Sequence, residues 1–154
     1  MDNLANLMRS PENLIPMTTN SQANSPWRSP CPVNISLELV GDKWALLVLR
    51  DILFKGFKSF KEFSQSKERI ATNILASRLK FLTEVGLLES EVSEKDARVI
   101  FYKPTSKGLD LIPVIVSLVL WVDKYEKHSV PKADIEWMKK NTQKFIAEIR
   151  AKFE

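Results

Sequence analysis

Cysteine is nearly missing from this chain: Cys31 is the only one in 154 residues. No disulfide can close within the chain, which excludes a small secreted domain stapled by disulfides and makes the reducing cytoplasm the expected home. Histidine is equally scarce, with His128 alone. Cys31 and His128 lie far apart in sequence with no motif to join them as nucleophile and base, and His128 falls in a charged stretch that reads as solvent-exposed. The four glycines form no phosphate-binding loop, and no His/Cys/Asp/Glu cluster has metal-ligand spacing. The most apolar run, Leu111 to Val122, is well short of the roughly 20 residues a membrane span needs, and no basic segment with an apolar core opens the chain. These absences argue against an enzyme, a cofactor, a bound metal and a membrane partner.

What is present is a local excess of positive charge. The whole chain carries a net +4. Between positions 55 and 81, Lys55, Lys58, Lys61, Lys67, Arg69, Arg78 and Lys80 face only Glu62 and Glu68, a net +5 in that window alone. A concentrated basic excess suits a polyanion-binding surface; the plainer alternative is a solvated basic face with no partner.

Residues 1–30 are rich in Asn, Ser and Pro and read as a flexible tail. From Cys31 the pattern changes. "PVNISLELVG" reads as a short helix, Pro32 at its first position and Gly41 at its end. "DKWALLVLRDILFKG" reads as a largely buried helix capped by Asp42 and stopped by Gly56. "SFKEFSQS" predicts a helix of about two turns with Ser59 as N-cap, Glu62 closing a capping box, and Phe60 and Phe63 facing inward. After "QSKER" a longer helix runs to Gly86. "LLESEVS" and "VIFYKPT" then read as strands of a hairpin whose tip, "EKDAR", carries Lys95 and Arg98, with Pro104 marking the end. A long helix is expected from Ser106 to about Lys127, apolar almost all round at its centre. A last helix, Lys132 to Phe153, places Ile135, Met138, Thr142, Phe145, Ile149 and Phe153 in a stripe. Burial against a second subunit is the economical explanation for both; the alternative is that they close the chain's own core.

The helix in "RIATNILASRLKFLTEVGLL" has two distinct faces. At 100° per residue, Ala71, Ile74, Leu75, Leu79, Leu82 and Val85 share an apolar arc, and Thr72, Asn73, Ala76, Ser77, Lys80 and Thr83 lie opposite. Small residues that permit close approach, an amide suited to adenine, hydroxyls and a lysine are what a helix facing base edges requires. An exposed helix face is polar in any soluble protein, so the order of elements carries more weight: short helix, tight link, second helix, basic-tipped hairpin is a winged helix-turn-helix. Arg78 projects at about 40°, inside the apolar side, where it either ties neighbouring elements together or touches DNA.

"CPVNISLELVGDKWALLVLRDIL", "FKSFKEF", "RIATNILASRLKFLTEVGLL", "VIFYKPTSKG" and Trp121 in "LVLWV" resemble, in order and spacing, the HxlR-type winged-helix transcription regulators, relatives of the MarR group. The likeness covers roughly Cys31 to Lys127, and Gly-Asp-Lys-Trp followed by Leu-Arg-Asp is its most specific part. The resemblance implies a homodimer with paired recognition helices on a pseudo-palindromic operator, joined through its N- and C-terminal helices, that represses or activates nearby genes. It departs from the family at two places. Arg69-Ile70-Ala71 stands where Gly-Ile-Ser is usual, which removes the serine N-cap and leaves Thr72 to take that role; Pro104 replaces a common Leu. Cys31, just before Pro32, would sit at the N-cap of the first helix, where the dipole favours thiolate over thiol. Family members sense quinones, aldehydes or oxidants at the matching position, and the resemblance implies the same for Cys31 or, alternatively, plain packing.

The sequence therefore predicts a mainly α protein with a small β-hairpin, a winged helix-turn-helix, dimeric with its terminal helices at the dimer interface. Its parts are the tail 1–30, the winged domain 31–127 and a C-terminal dimerisation helix 128–154. The expected function is sequence-specific binding of double-stranded DNA as a homodimer, responsive to a small electrophile or oxidant. The alternative is a winged-helix protein-interaction module. The candidate DNA-binding set is Ser59, Lys61, Arg69, Thr72, Asn73, Ser77, Arg78, Lys80, Lys95 and Arg98. The candidate interface set is Leu111, Ile115, Leu118, Trp121, Ile135, Met138, Phe145 and Ile149, and Cys31 is the candidate sensor.

Overall fold

The computed structural model describes residues 26–154, so most of the expected tail, residues 1–25, lies outside the described residues. The described chain falls into two units, 26–38 and Leu39–Glu154. In the first, the Arg28 guanidinium donates to Asn34 Oδ1 at 2.8 Å and its backbone N–H to Glu38 Oε1 at 3.3 Å. These bonds fold the segment back along helix α1, Pro32–Val40, which runs across the unit boundary. The Cys31 carbonyl accepts the first helical bond, from the Ile35 N–H at 3.0 Å, and the Cys31 side chain is exposed.

The second unit begins with α2, Lys43–Lys55. Asp42 caps it by accepting from the N–H groups of Trp44 (2.9 Å) and Ala45 (3.2 Å), and Gly56 ends it in the left-handed conformation, φ 71°, as the sequence predicts. Ala45, Val48, Leu49, Ile52 and Leu53 are all buried, making α2 the spine of the core. Helix α3, Phe60–Ser64, is shorter than the expected two turns. Glu62 reaches back to accept from the Lys58 N–H (2.8 Å), the Ser59 N–H (2.7 Å) and the Ser59 hydroxyl (2.9 Å). Those donors, the Lys58 N–H first, hold its carboxyl below the usual range.

Helix α4, Thr72–Glu84, packs Leu75, Leu79 and Leu82 into the core. Its N-cap is Ala71, with no side-chain cap, and not Thr72: the Ala71 carbonyl accepts from Leu75, so Thr72 already lies inside the helix. Strands β1, Leu88–Val92, and β2, Ile100–Pro104, pair antiparallel with Leu88 opposite Pro104 and Val92 opposite Ile100. Only the base of the hairpin is buried, at Leu88 and Pro104; Tyr102 is half-buried and the other strand residues are exposed. The base is fixed by the Thr105 hydroxyl donating to the Gly86 carbonyl at 2.7 Å. Gly108 lies so close that a Cβ there would fall 2.2 Å from the Leu87 carbonyl oxygen, which no other residue could tolerate without backbone movement.

The long helix expected from Ser106 is two helices, α5, Ser106–Leu109, and α6, Ile112–Tyr125. Pro113 has no N–H to offer the carbonyl four residues back, and the turn closes instead through Leu111 N–H to Gly108 O. The last helix is also divided, into α7, Lys132–Lys140, and α8, Thr142–Arg150. At the break the Asn141 amide donates to the Trp137 carbonyl and the Thr142 hydroxyl to the Met138 carbonyl, each at 2.9 Å, the local competition with the helix that these side chains favour. The stripe folds back on its own chain. Phe145 stacks on Phe54 of α2 with centroids 6.0 Å apart, and Ile115, Ile135 and Ile149 are buried without a second subunit. Those three are packed inside the chain and offer no exposed surface to a partner, and the segment 128–154 expected as one helix holds two.

Candidate nucleic-acid interface

Helix α4 presents most of the face expected of it: Thr72, Asn73, Ala76, Ser77 and Lys80 are exposed. Thr83 is half-buried with its hydroxyl donating to the Leu79 carbonyl at 2.9 Å, and the residues opposite are held by α2 and α3. Amide, hydroxyl and methyl groups lie along one open surface, with the Lys80 ammonium 3.7 Å from Glu84 at its far end. Arg78 does not join them. Its Nη1 lies 3.0 Å from Asp42 Oδ2, so the carboxylate that caps α2 also binds α4. Arg78 ties the two helices together, one of the two roles its sequence position left open.

Ser59 is also engaged within the fold. Its hydroxyl donates to Glu62, its backbone bridges Phe101 of β2, and the neighbouring Lys58 carbonyl accepts from the Tyr102 N–H at 2.7 Å. These bonds pin the start of α3 to the wing. Phe63, from α3, meets Phe57 and Tyr102 edge-on at 6.0 and 6.3 Å, so α3, the wing and the turn after α2 share one aromatic cluster. At the wing tip Arg98 grips Asp96 through two side-chain bonds of 3.0 Å, which lower the Asp96 carboxyl. Lys95 is exposed with no ion pair among the described residues.

The basic window is thus less charged than a count of its residues suggests. Lys55 pairs with Asp51 (2.7 Å), Arg78 with Asp42 and Lys80 with Glu84, all acids outside the window. The side chains of Lys61, Lys67 and Arg69 remain exposed and unpaired among the described residues. Lys61 lies on α3, and Lys67 and Arg69 lie in the link between α3 and α4.

That link is held from below by a cluster the sequence reading did not find. Asp51, 3% exposed, accepts from Arg50 Nη2 (2.6 Å), Lys55 Nζ (2.7 Å) and the Ser66 hydroxyl (2.7 Å). Glu68 accepts from Arg50 Nη1 at 2.7 Å and lies 2.5 Å from the same Ser66 hydroxyl, whose single proton serves one of the two carboxylates at a time. The Arg50 bond first, then Ser66, lowers the Glu68 carboxyl to about 2. The next residue, Arg69, has φ 52°, the one positive φ among described non-glycine residues. The left-handed region costs an L-residue with a Cβ roughly 1 to 2 kcal/mol. The signal available in the sequence was an arginine where the resembling family has glycine.

A stripe of exposed apolar side chains runs along α6: Val114, Leu118, Trp121 and Tyr125, with Trp121 61% exposed and 5.7 Å from the Tyr125 ring. Leu118 and Trp121 were expected on such a surface; Val114 and Tyr125 were not, though all four fall on one helical face. Leu111, Met138 and Phe145 are half-buried. His128 lies 3.1 Å from Asp123, which also pairs with Lys139 at 2.9 Å. No helix among the described residues is long and apolar enough to cross a membrane.

Two packed helices, the second with one open polar face, followed by a solvent-exposed hairpin define a winged helix-turn-helix. The chain belongs to the HxlR-like helix-turn-helix family, which it matches over residues 39–130. An HTH-type transcriptional regulator of Mycobacterium tuberculosis is 39% identical over 93 residues, 60% of this chain and 58% of that one, so the chain spans little more than half the length of this relative. Among solved structures, that of PA1607 has a TM-score of 0.60 at 35% identity, covering 68% of this chain and 75% of the other. The reduced form of the transcriptional regulator YodB of Bacillus subtilis has a TM-score of 0.52 at 31% identity, covering 63% and 95%. A quinone-bound form of YodB matches equally well in score and identity.

Proposed function

We propose that this protein is a sequence-specific, non-enzymatic transcription regulator that binds double-stranded DNA as a homodimer on a pseudo-palindromic operator. The observation that carries the reading is the face of α4, whose small and hydrogen-bonding side chains are exposed while every buried position on the helix is apolar. In this reading α4 lies in the major groove, Asn73, Ser77, Thr72 and Lys80 reach base edges or adjacent phosphates, and Lys61, Arg69 and Lys95 track the backbone. Arg98 contributes only after releasing Asp96. The second subunit covers Val114, Leu118, Trp121 and Tyr125, an apolar stripe that otherwise stays in water. The winged domain 31–127 does the reading, in the cytoplasm with the DNA. Cys31, exposed at the start of α1, is the site at which an electrophile or oxidant acts; YodB, a relative with a quinone-bound structure, supports that assignment.

The test is fluorescence anisotropy with duplexes selected from a random library, titrated across salt concentrations with unrelated competitor, before and after diamide or quinone. Competitor-resistant binding that weakens steeply with salt supports the regulator. Its loss on treatment of wild type but not of Cys31→Ser supports the sensor. Selection that enriches no sequence overturns the reading in favour of a protein-interaction module.

A further inference from the structure

We propose that Arg50, Asp51, Ser66 and Glu68 form a clamp that fixes Arg69 in its left-handed conformation, and that Arg69 so held is a sequence-independent anchor on a DNA backbone phosphate at the edge of the groove read by α4. The proposal rests on the DNA-binding reading above and adds to it a positioning device whose members do not touch DNA.

Arg69 has φ 52°, a conformation that glycine adopts freely and that asparagine or aspartate can support by local hydrogen bonding; arginine has neither advantage. Such a residue persists only where its neighbours over-determine it, and both sides of Arg69 are fixed. Before it, Glu68 is bound by Arg50 at 2.7 Å, and the Ser66 hydroxyl lies 2.5 Å from Glu68 and 2.7 Å from buried Asp51, its one proton shared between the two carboxylates. The Arg69 N–H donates to the Ser66 carbonyl at 3.0 Å. After it, Ile70 is buried in the core. The strain is therefore imposed by a built cluster reaching from α2 to the link.

The side chain held this way has no ion pair among the described residues. Arg28, Arg50, Arg78, Arg98 and Arg150 each pair with an acid. Arg69 is exposed and, alone among the described arginines, unpaired. It stands three residues before Thr72, the first residue of the open face of α4. A free guanidinium on a fixed backbone beside a base-reading face suits a phosphate, which it can meet with two parallel N–H bonds.

The experiment compares wild type, Arg69→Gly, Arg69→Lys, Glu68→Gln and the Arg69→Gly/Glu68→Gln double variant. It measures affinity for a selected and an unrelated duplex against salt, and thermal unfolding of each free protein. Arg69→Gly is expected to unfold no earlier than wild type, to bind both duplexes severalfold more weakly, and to lower the salt slope by about 1 per subunit. Arg69→Lys keeps the slope. Glu68→Gln weakens binding in the wild-type background and adds nothing in the Arg69→Gly background, because the clamp acts through Arg69. Wild type that binds while Arg69→Gly binds identically overturns the anchor and leaves the DNA-binding reading intact. Additive losses overturn the clamp, and a wild type that binds no duplex overturns both readings at once.

Discussion

Helices α2 and α4 are the same length, 13 residues each, and are built on opposite terms. Helix α2 is closed at both ends, by the Asp42 carboxylate and by Gly56, and buries most of its circumference. Helix α4 starts from Ala71 with no side-chain cap, follows a strained arginine, and buries a single stripe. An uncapped start leaves backbone N–H groups without a protein partner, and the open face leaves side chains without one. Helix α2 satisfies the fold, whereas α4 leaves part of its chemistry unsatisfied among the described residues. Asp42 connects them, since one carboxylate caps α2 and holds Arg78 of α4.

The contrast predicts that substitutions in the two helices separate stability from binding. Leu49 on α2 has no exposed surface, so Leu49→Ala leaves a cavity and is expected to destabilise by about 2 to 5 kcal/mol in urea unfolding. Any loss of DNA binding should then follow the unfolded fraction. Asn73→Ala, on the open face of α4, should change stability by less than about 0.5 kcal/mol while weakening operator binding by about 1 to 3 kcal/mol. If Asn73→Ala destabilised as much as Leu49→Ala, the division between the helices would not hold.

The same division separates what could be read from the sequence. The caps of α2, the capping role of Glu62, the two faces of α4 and the ends of the hairpin were all legible, because each depends on residues within a turn or two of one another. What escaped was set by distant partners. Arg78 finds Asp42 across 36 positions, and Glu68 is held by an arginine 18 positions earlier. Phe145 lands on Phe54 because α7 and α8 fold back, which an apolar stripe cannot distinguish from a stripe awaiting a second subunit. The breaks before α6 and before α8 were missed for a different reason. Pro113 and Asn141 carried the signal, but helical periodicity runs through them unchanged.

The uncapped start of α4 gives a sharper test of the comparison. Ala71 has extended backbone angles, φ −63° and ψ 140°, so Ala71→Ser can offer its hydroxyl to the free N–H groups without rebuilding the link. It should raise stability by about 0.5 to 1 kcal/mol, measured as a higher urea midpoint at unchanged slope. No gain would mean those N–H groups are already well served by water, and α4 would be less unlike α2 than its missing cap suggests.

The smallest expected effect concerns acid. The Glu68 carboxyl is lowered to about 2 by Arg50 and Ser66, whereas an unperturbed glutamate titrates near 4.3. A carboxylate with a depressed folded-state pKa contributes stability that is fully present above the unfolded value and is lost as pH falls from there through the folded value. Wild type should therefore lose stability between pH about 4.5 and about 2 more steeply than Glu68→Gln, whose side chain does not titrate. Because the Glu68 side chain is 32% exposed, solvent screens much of the pairing and the difference will be modest. Above pH 5 the two unfolding curves should run parallel, offset by the lost Arg50 pairing. Acid limbs of equal slope would show that Arg50 and Ser66 do not stabilise the Glu68 carboxylate in solution, and the strain at Arg69 would then need another support.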